Sequence, residues 1–99
     1  MRELQLVILP EAKRNLTRIW FDIAQYSDRS ADWIVDEINR RMTVLTQFPQ
    51  IGAPRDNLMA GVRMLSIRKY VVLHRVESSL DEVHIIRILE GERDLADLF

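Results

Sequence analysis

Five basic side chains, Arg55, Arg63, Arg68, Lys69 and Arg75, lie within residues 47–75, where Asp56 is the single acid. Guanidinium groups at that density suit carboxylates or phosphates, because each presents a planar fork of N–H donors. Cleaving a phosphodiester also needs a histidine, tyrosine or carboxylate pair to move protons beside the basic cluster, and no matching pair is evident. His74 and His84 fall on different expected strands and lack the spacing of helical metal ligands, so they read as polar strand positions on a solvated face. The chain has no cysteine, which excludes a disulfide framework, a thiolate metal site and a thiol nucleophile. No serine sits in a nucleophile elbow, and the three glycines are scattered turn residues that form no phosphate cradle. The residues therefore predict no catalytic group, no metal and no cofactor.

The elements that must position the basic cluster divide at the same stretch. Residues 3–9 form a short apolar run closed by Pro10, which also restricts the residue before it, and predict a first strand. Pro10 and Glu11 suit the first turn of a helix reaching about Gln25, with Ala12, Leu16, Ile19, Trp20 and Ile23 as its packing stripe. Phe21 stands roughly 140° from that stripe, at ~100° per residue, and is expected to be exposed. Ser30 is expected to cap a second helix with Asp32 in its first turn, whose stripe is Ala31, Ile34, Val35, Ile38, Met42 and Leu45. Trp33 falls off this stripe. The short link predicts an antiparallel helix hairpin.

Phe48-Pro49 ends the helical half, and Gly52, Pro54 and Gly61 turn the chain. Residues 62–67, 70–76 and 82–89 then read as three antiparallel strands, separated by Arg68-Lys69 and by residues 77–81. The helix hairpin is the only evident cover for the sheet, so the expected fold class is α+β in two layers. The position of the first strand, at an edge or between later strands, stays open. The tail from Gly91 to Phe99 reads as a turn and a short terminal helix.

At 99 residues the chain is expected to be a single domain, 1–99, with a core small enough that a stabilising partner is unsurprising. A net charge of −1 argues against binding nucleic acid mainly through phosphates and favours protein partners. No apolar run approaches the ~20 residues that span a bilayer, and no signal-peptide pattern opens the chain, so a cytoplasmic location is expected.

The order of strand, helix hairpin, FPxxG turn, GVRML segment, short apolar strand and closing VHIIRILEGERDL resembles the ParE branch of the RelE/ParE superfamily, the toxins of type II toxin–antitoxin modules. The resemblance spans essentially the whole chain. It rests most on Phe48-Pro49 with Gly52, on residues 58–65 with Gly61 and Arg63, and on residues 85–95 with Gly91, Arg93 and Asp94. It implies a RelE/ParE-like toxin held inactive, as a hetero-oligomer, by a cognate ParD-like antitoxin whose C-terminal segment wraps it.

Two activities occur in that superfamily, inhibition of DNA gyrase and ribosome-dependent mRNA cleavage. RelE-like nucleases carry an arginine after the aromatic that opens the central strand, where this chain has Val71 after Tyr70, and a proton-transfer group near the C-terminus, where it has Phe99. Glu90, Glu92, Asp94 and Asp97 surround Arg93 and would repel an RNA backbone. The resemblance thus implies a gyrase inhibitor acting by protein binding, with plasmid stabilisation as its setting. A RelE-like endonuclease is the first alternative. Many ParE-like chains have a histidine where Glu90 stands, so a non-toxic antitoxin-binding homologue is the second.

The residues expected to contact the target are Arg63, Arg68, Arg87 and Arg93. Those expected to contact the antitoxin are Leu16, Trp20, Phe21, Trp33 and Arg75, although Trp20 alone would also read as core. The strand arginines read equally well as solvated positions paired with Glu77, Asp81 and Glu82.

Overall fold

The structure is a computed structural model that describes residues 3–91 and 94–95. Strand β1 (Gln5–Ile8) leads into α1 (Pro10–Ala24), where Pro10 loses nothing in the first turn because its missing N–H would have had no intrahelical partner. Helix α2 (Asp28–Thr43) begins earlier than expected. Ser27, and not Ser30, is its N-cap: the Ser27 hydroxyl accepts from the Ser30 amide at 3.1 Å, so Ser30 supplies an orphan N–H of the first turn. The link between the helices therefore shrinks to Gln25–Ser27, which keeps the hairpin tight. A single 3₁₀ turn, Val44–Thr46, extends α2 and drives Leu45 into the core.

Four further strands follow: β2 (Ala53–Pro54), β3 (Arg63–Ile67), β4 (Tyr70–Glu77) and β5 (Glu82–Glu90). The two-residue β2 escaped the sequence reading, since Ala53-Pro54 has neither length nor β-branched content. The sheet runs β1-β5-β4-β3-β2, with β1 parallel to β5 and every other pairing antiparallel. The first strand thus takes an edge beside the last one, and the helix hairpin lies within the long connection between them.

The fold is α+β, as expected. Ala12 and Ile19 of α1 with Ile38 and Met42 of α2 bury against Leu65, Ile67, Tyr70, Val72, Val83, Ile85 and Ile88 of the sheet. Each large aliphatic side chain sealed there contributes ~1.5–3 kcal/mol. The other face of the sheet is not bare. Val62, Leu73, Ile86 and Leu95 form a second apolar cluster, with Leu58, Met59, Met64 and Leu89 packed on it. The hairpin is therefore not the only cover: the loop before β3 and Leu95 close the opposite side. The expected terminal helix lies outside the described residues apart from Asp94 and Leu95.

A bulge reconciles the two cores. Leu73 pairs with Arg87 and His74 with Ile85, so Ile86 is the extra residue on β5. It resets the alternation, letting Ile85 and Ile88 face the helices while Ile86 turns to the second cluster.

Candidate functional site

Alternation along β3 puts Arg63 on the helix side of the sheet with Leu65 and Ile67, but at the end where the hairpin no longer covers it. Its Nη1 donates to the Gly52 carbonyl at 2.8 Å, and no carboxylate pairs with it among the described residues. Opposite Arg63 stands His74, which is 1% exposed. The solvated position expected for His74 is therefore wrong: it shares the face of Val72 and is sealed under the turn containing Ile51 and Gly52. Burial pushes its pKa down, the Ile51 carbonyl opposes that, and Arg63 adds to the depression. Its Nε2 has no hydrogen-bond partner. Gly52 is required above it, because φ is +101° and an added Cβ would stand 2.7 Å from the Met64 carbonyl oxygen.

Strand β4 runs on past β3, whose first residue, Arg63, already faces His74. At that unpaired margin a cavity of about 370 Å³ opens between the Pro49-Gln50 turn and Ala60-Gly61, lined also by Arg63, His74, Arg75 and Val76. Arg75 reaches it past Gly61, whose absent side chain leaves the arginine stem 3.6 Å from the Cβ position. The Arg75 Nε donates to Glu77 at 2.9 Å. Beside this cavity, and sharing Pro49 and Gln50 with it, lies a second concavity formed by residues 47–51, where Phe48 is 57% exposed. From the sequence, Phe48 reads as a boundary and as part of the family motif, not as a surface.

A different surface forms where the β3–β4 turn meets α2. Arg68, held at φ 55° in the turn, places its guanidinium 4.3 Å from the centroid of the Trp33 ring. Trp33 and Phe21 are exposed, as their angular positions predicted. Trp20 is partly buried and bridges the hairpin, its indole N–H donating to Asp32 at 2.8 Å, while Phe21 meets it edge to face at 5.2 Å. Leu16 is packed against the helix-side core.

The outer face holds the remaining candidates. Arg87 sits opposite Leu73, donates to the Ile86 carbonyl, and is near enough to Glu11 to help lower that carboxyl's pKa, although Arg14 is the larger cause. Arg93 lies outside the described residues. Glu90, opposite Tyr70 on the helix side, is paired with Lys69 at 3.0 Å, which raises the Lys69 pKa. On the outer face, with Arg87, His84 contacts Glu82 at 2.8 Å, and Arg75 is the register partner of His84. Adjacent alternate positions 82 and 84 were the signal for this pair. Its setting is self-neutralised: Glu77 and Glu82 supply two carboxylates around one guanidinium.

Of the four arginines expected at the target, the three among the described residues do not converge. Arg63 joins Arg75, and Arg68 joins Trp33, while Arg87 stands on the opposite face. Among the described residues no group of three or more histidine, cysteine or carboxylate side chains could hold a metal, and no helix is long and apolar enough to cross a membrane.

Residues 6–95 match the family model described as the ParE toxin of the type II toxin–antitoxin system parDE. The chain belongs to the ParE toxin family. It is 30% identical over 83 residues to Toxin ParE3 of Caulobacter vibrioides, covering 83% of this chain and 81% of that one. Among solved structures, the ParE-family fold aligns with a chain of the chromosomal ParDE system from P. aeruginosa at a TM-score of 0.77 and 25% identity, covering 91% of this chain and 98% of that one. A chain of the RelBE2 toxin–antitoxin complex from Mycobacterium tuberculosis aligns at a TM-score of 0.63 and 19% identity, covering 89% and 98%, which is a likeness of fold. The protein is thus a toxin of a type II toxin–antitoxin system, of the ParE family.

Proposed function

We propose that this ParE-family toxin inhibits DNA gyrase by binding it, without cleaving a substrate, and is neutralised in the cytoplasm by a cognate ParD-like antitoxin. The observation that carries the reading is that the groups around Tyr70 and Arg63 offer no usable proton transfer. Tyr70 is buried, and burial raises its pKa. Val71 occupies the neighbouring position, and His74 is sealed in a neutral-favouring site. Guanidiniums alone stabilise charge but cannot transfer the protons that RNA cleavage needs. The ParDE structural likeness supports an antitoxin partner, for which the exposed Phe21 and Trp33 offer rigid aromatic contacts.

Purified toxin added to gyrase and relaxed plasmid is expected to block supercoiling and accumulate cleaved complex. Addition of the cognate ParD-like antitoxin, expected from a small open reading frame beside the toxin gene, is expected to restore supercoiling. Uninhibited supercoiling with no cleaved complex would remove the gyrase reading.

A RelE-like nuclease is the second reading, favoured by one observation, the His84–Glu82 pair beside Arg75. It predicts ribosome-dependent transcript cleavage in induced cells that His84→Gln abolishes. Gyrase inhibition that survives His84→Gln, with intact transcripts, excludes it.

A further inference from the structure

The strongest unassigned feature is the pair of adjoining concavities at the free margin of β4. One is lined by the guanidiniums of Arg63 and Arg75 beside the neutral-favouring His74; no carboxylate lines it, although Glu77 next to it pairs with Arg75. The other is apolar at its rim, with Phe48 and Ile51 both exposed. They share Pro49 and Gln50, so one extended segment can cross from the first to the second. Arg63 is half-buried, anchored to the Gly52 carbonyl through one nitrogen, and otherwise unmatched by a carboxylate among the described residues. A guanidinium held by one edge keeps donors for a second acceptor, and an incoming carboxylate would be recognised by paired N–H groups.

We propose that these two concavities form one docking site for an acidic–apolar peptide segment of the antitoxin, with a carboxylate held by Arg63, flanked by the Arg75 that Glu77 already pairs, and a bulky apolar side chain seated on Phe48 and Ile51. The proposal deepens the antitoxin reading and rests on it. It also assigns Arg63 and Arg75 to one partner, because they line one cavity. A peptide is favoured over an isolated anion for a physical reason. The apolar rim contributes to binding only if the ligand carries an apolar group, and Phe48 at 57% exposure has area to bury. The unpaired margin of β4 also leaves an extended chain room to lie alongside.

The test uses the full chain, isotope-labelled, titrated with a blocked octapeptide carrying two glutamates followed by two leucines. Amide shifts are expected to concentrate at Phe48, Ile51, Gly61, Arg63 and Arg75 and to saturate. A glutamine version of the peptide and a serine-for-leucine version are each expected to bind about tenfold more weakly, or 1.4 kcal/mol. Arg63→Gln should weaken the acidic peptide to a similar degree, whereas Arg63→Lys, which keeps the charge, should restore much of the binding. Phe48→Ser is a surface change that should lower affinity while leaving the spectrum of the core unaltered. Shifts scattered over the surface, or equal binding of the glutamine peptide, would overturn the proposal. So would inorganic phosphate binding at the same residues as tightly as the acidic peptide, since the cavity would then be a bare anion site. Failure of a ParD-like protein encoded beside the toxin gene to copurify with the toxin would remove the antitoxin reading instead, and the peptide titration reads the cavity independently of that result.

Discussion

Asn15 offers the sharpest test of how this fold holds its last strand. It lies on the buried side of α1 at 8% exposure, and its Oδ1 accepts from the Ile88 amide at 3.0 Å. That amide needs a side-chain partner because β1 pairs with β5 only over Glu82–Ile85 and the chain then turns away into α1. Asn15→Ala deletes the acceptor and leaves a buried N–H beside Ile88, itself 2% exposed. An unsatisfied buried donor costs ~1–3 kcal/mol, and the better helix propensity of alanine returns a few tenths, so the net loss is about 1–2 kcal/mol. For a domain of this size that lowers Tm by roughly 5–15 °C. Thermal unfolding and native-state hydrogen exchange check it together. Thr17→Ala, at an exposed position on the same helix, serves as the control and is expected to stay within ~0.5 kcal/mol. An unchanged Tm, or Ile88 exchange no faster than its neighbours', would refute the account of Asn15 as the substitute for a missing strand.

Four further outcomes follow from local geometry. Gly52→Ala, with φ at +101° and its Cβ 2.7 Å from a backbone oxygen, is expected to lose ~2 kcal/mol or more in denaturant unfolding. Gly91→Ala, with nothing within 4 Å, meets only the positive-φ strain of ~1–2 kcal/mol. His74 takes its proton less readily when folded than at its ordinary value of 6.5, so the unfolded chain binds more protons below that pH. Stability is therefore full above about pH 6.5 and falls on acidification by at most ~1.4 kcal/mol per pH unit until the folded pKa is reached, a slope that His74→Leu should remove. Arg68→Ala removes the cation over Trp33 and should cost ~0.5–1 kcal/mol at this exposed site, with an altered indole emission as its local readout.

Periodicity made the helices, the three long strands and the exposure of Phe21 and Trp33 legible, because each depends on a repeat that the sequence displays. What it hid has specific causes. The Ile85-Ile86 doublet is a bulge, and a bulge breaks the alternation that strand reading relies on. Asn15 looks like a polar interruption of a packing stripe until the missing partner of Ile88 is known. His74 is polar in type and core in position, since the strand that carries it is flanked on both sides. Arg63 and Arg75 stand twelve residues apart in sequence and become neighbours only through the β3–β4 register. Arg68 and Trp33 meet through tertiary packing that no local pattern encodes.

Strand lengths in this sheet are mismatched at two places, and the fold treats them differently. Beyond β1, the exposed side of β5 is closed from within by Asn15, a short side chain from a rigid helix. Beyond the start of β3, the margin of β4 is left open, and what lines it is Arg63, His74, Arg75 and Val76 with the Pro49-Gln50 turn and Ala60-Gly61, while Glu77 pairs with Arg75 at its end. Closing that second margin would have required only a longer β3, yet Gly61, at φ 76°, turns the chain, and Val62 bonds back to Met59 and Arg55 instead. An unpaired strand edge is a hazard for association unless charge or a partner controls it. Arg63 places a positive charge there that no carboxylate among the described residues matches, beside the Arg75–Glu77 pair, which discourages a second copy of the same edge and favours an acidic segment. The open margin is thus the part of the sheet whose chemistry selects its neighbour, whereas the hairpin aromatics supply contact area.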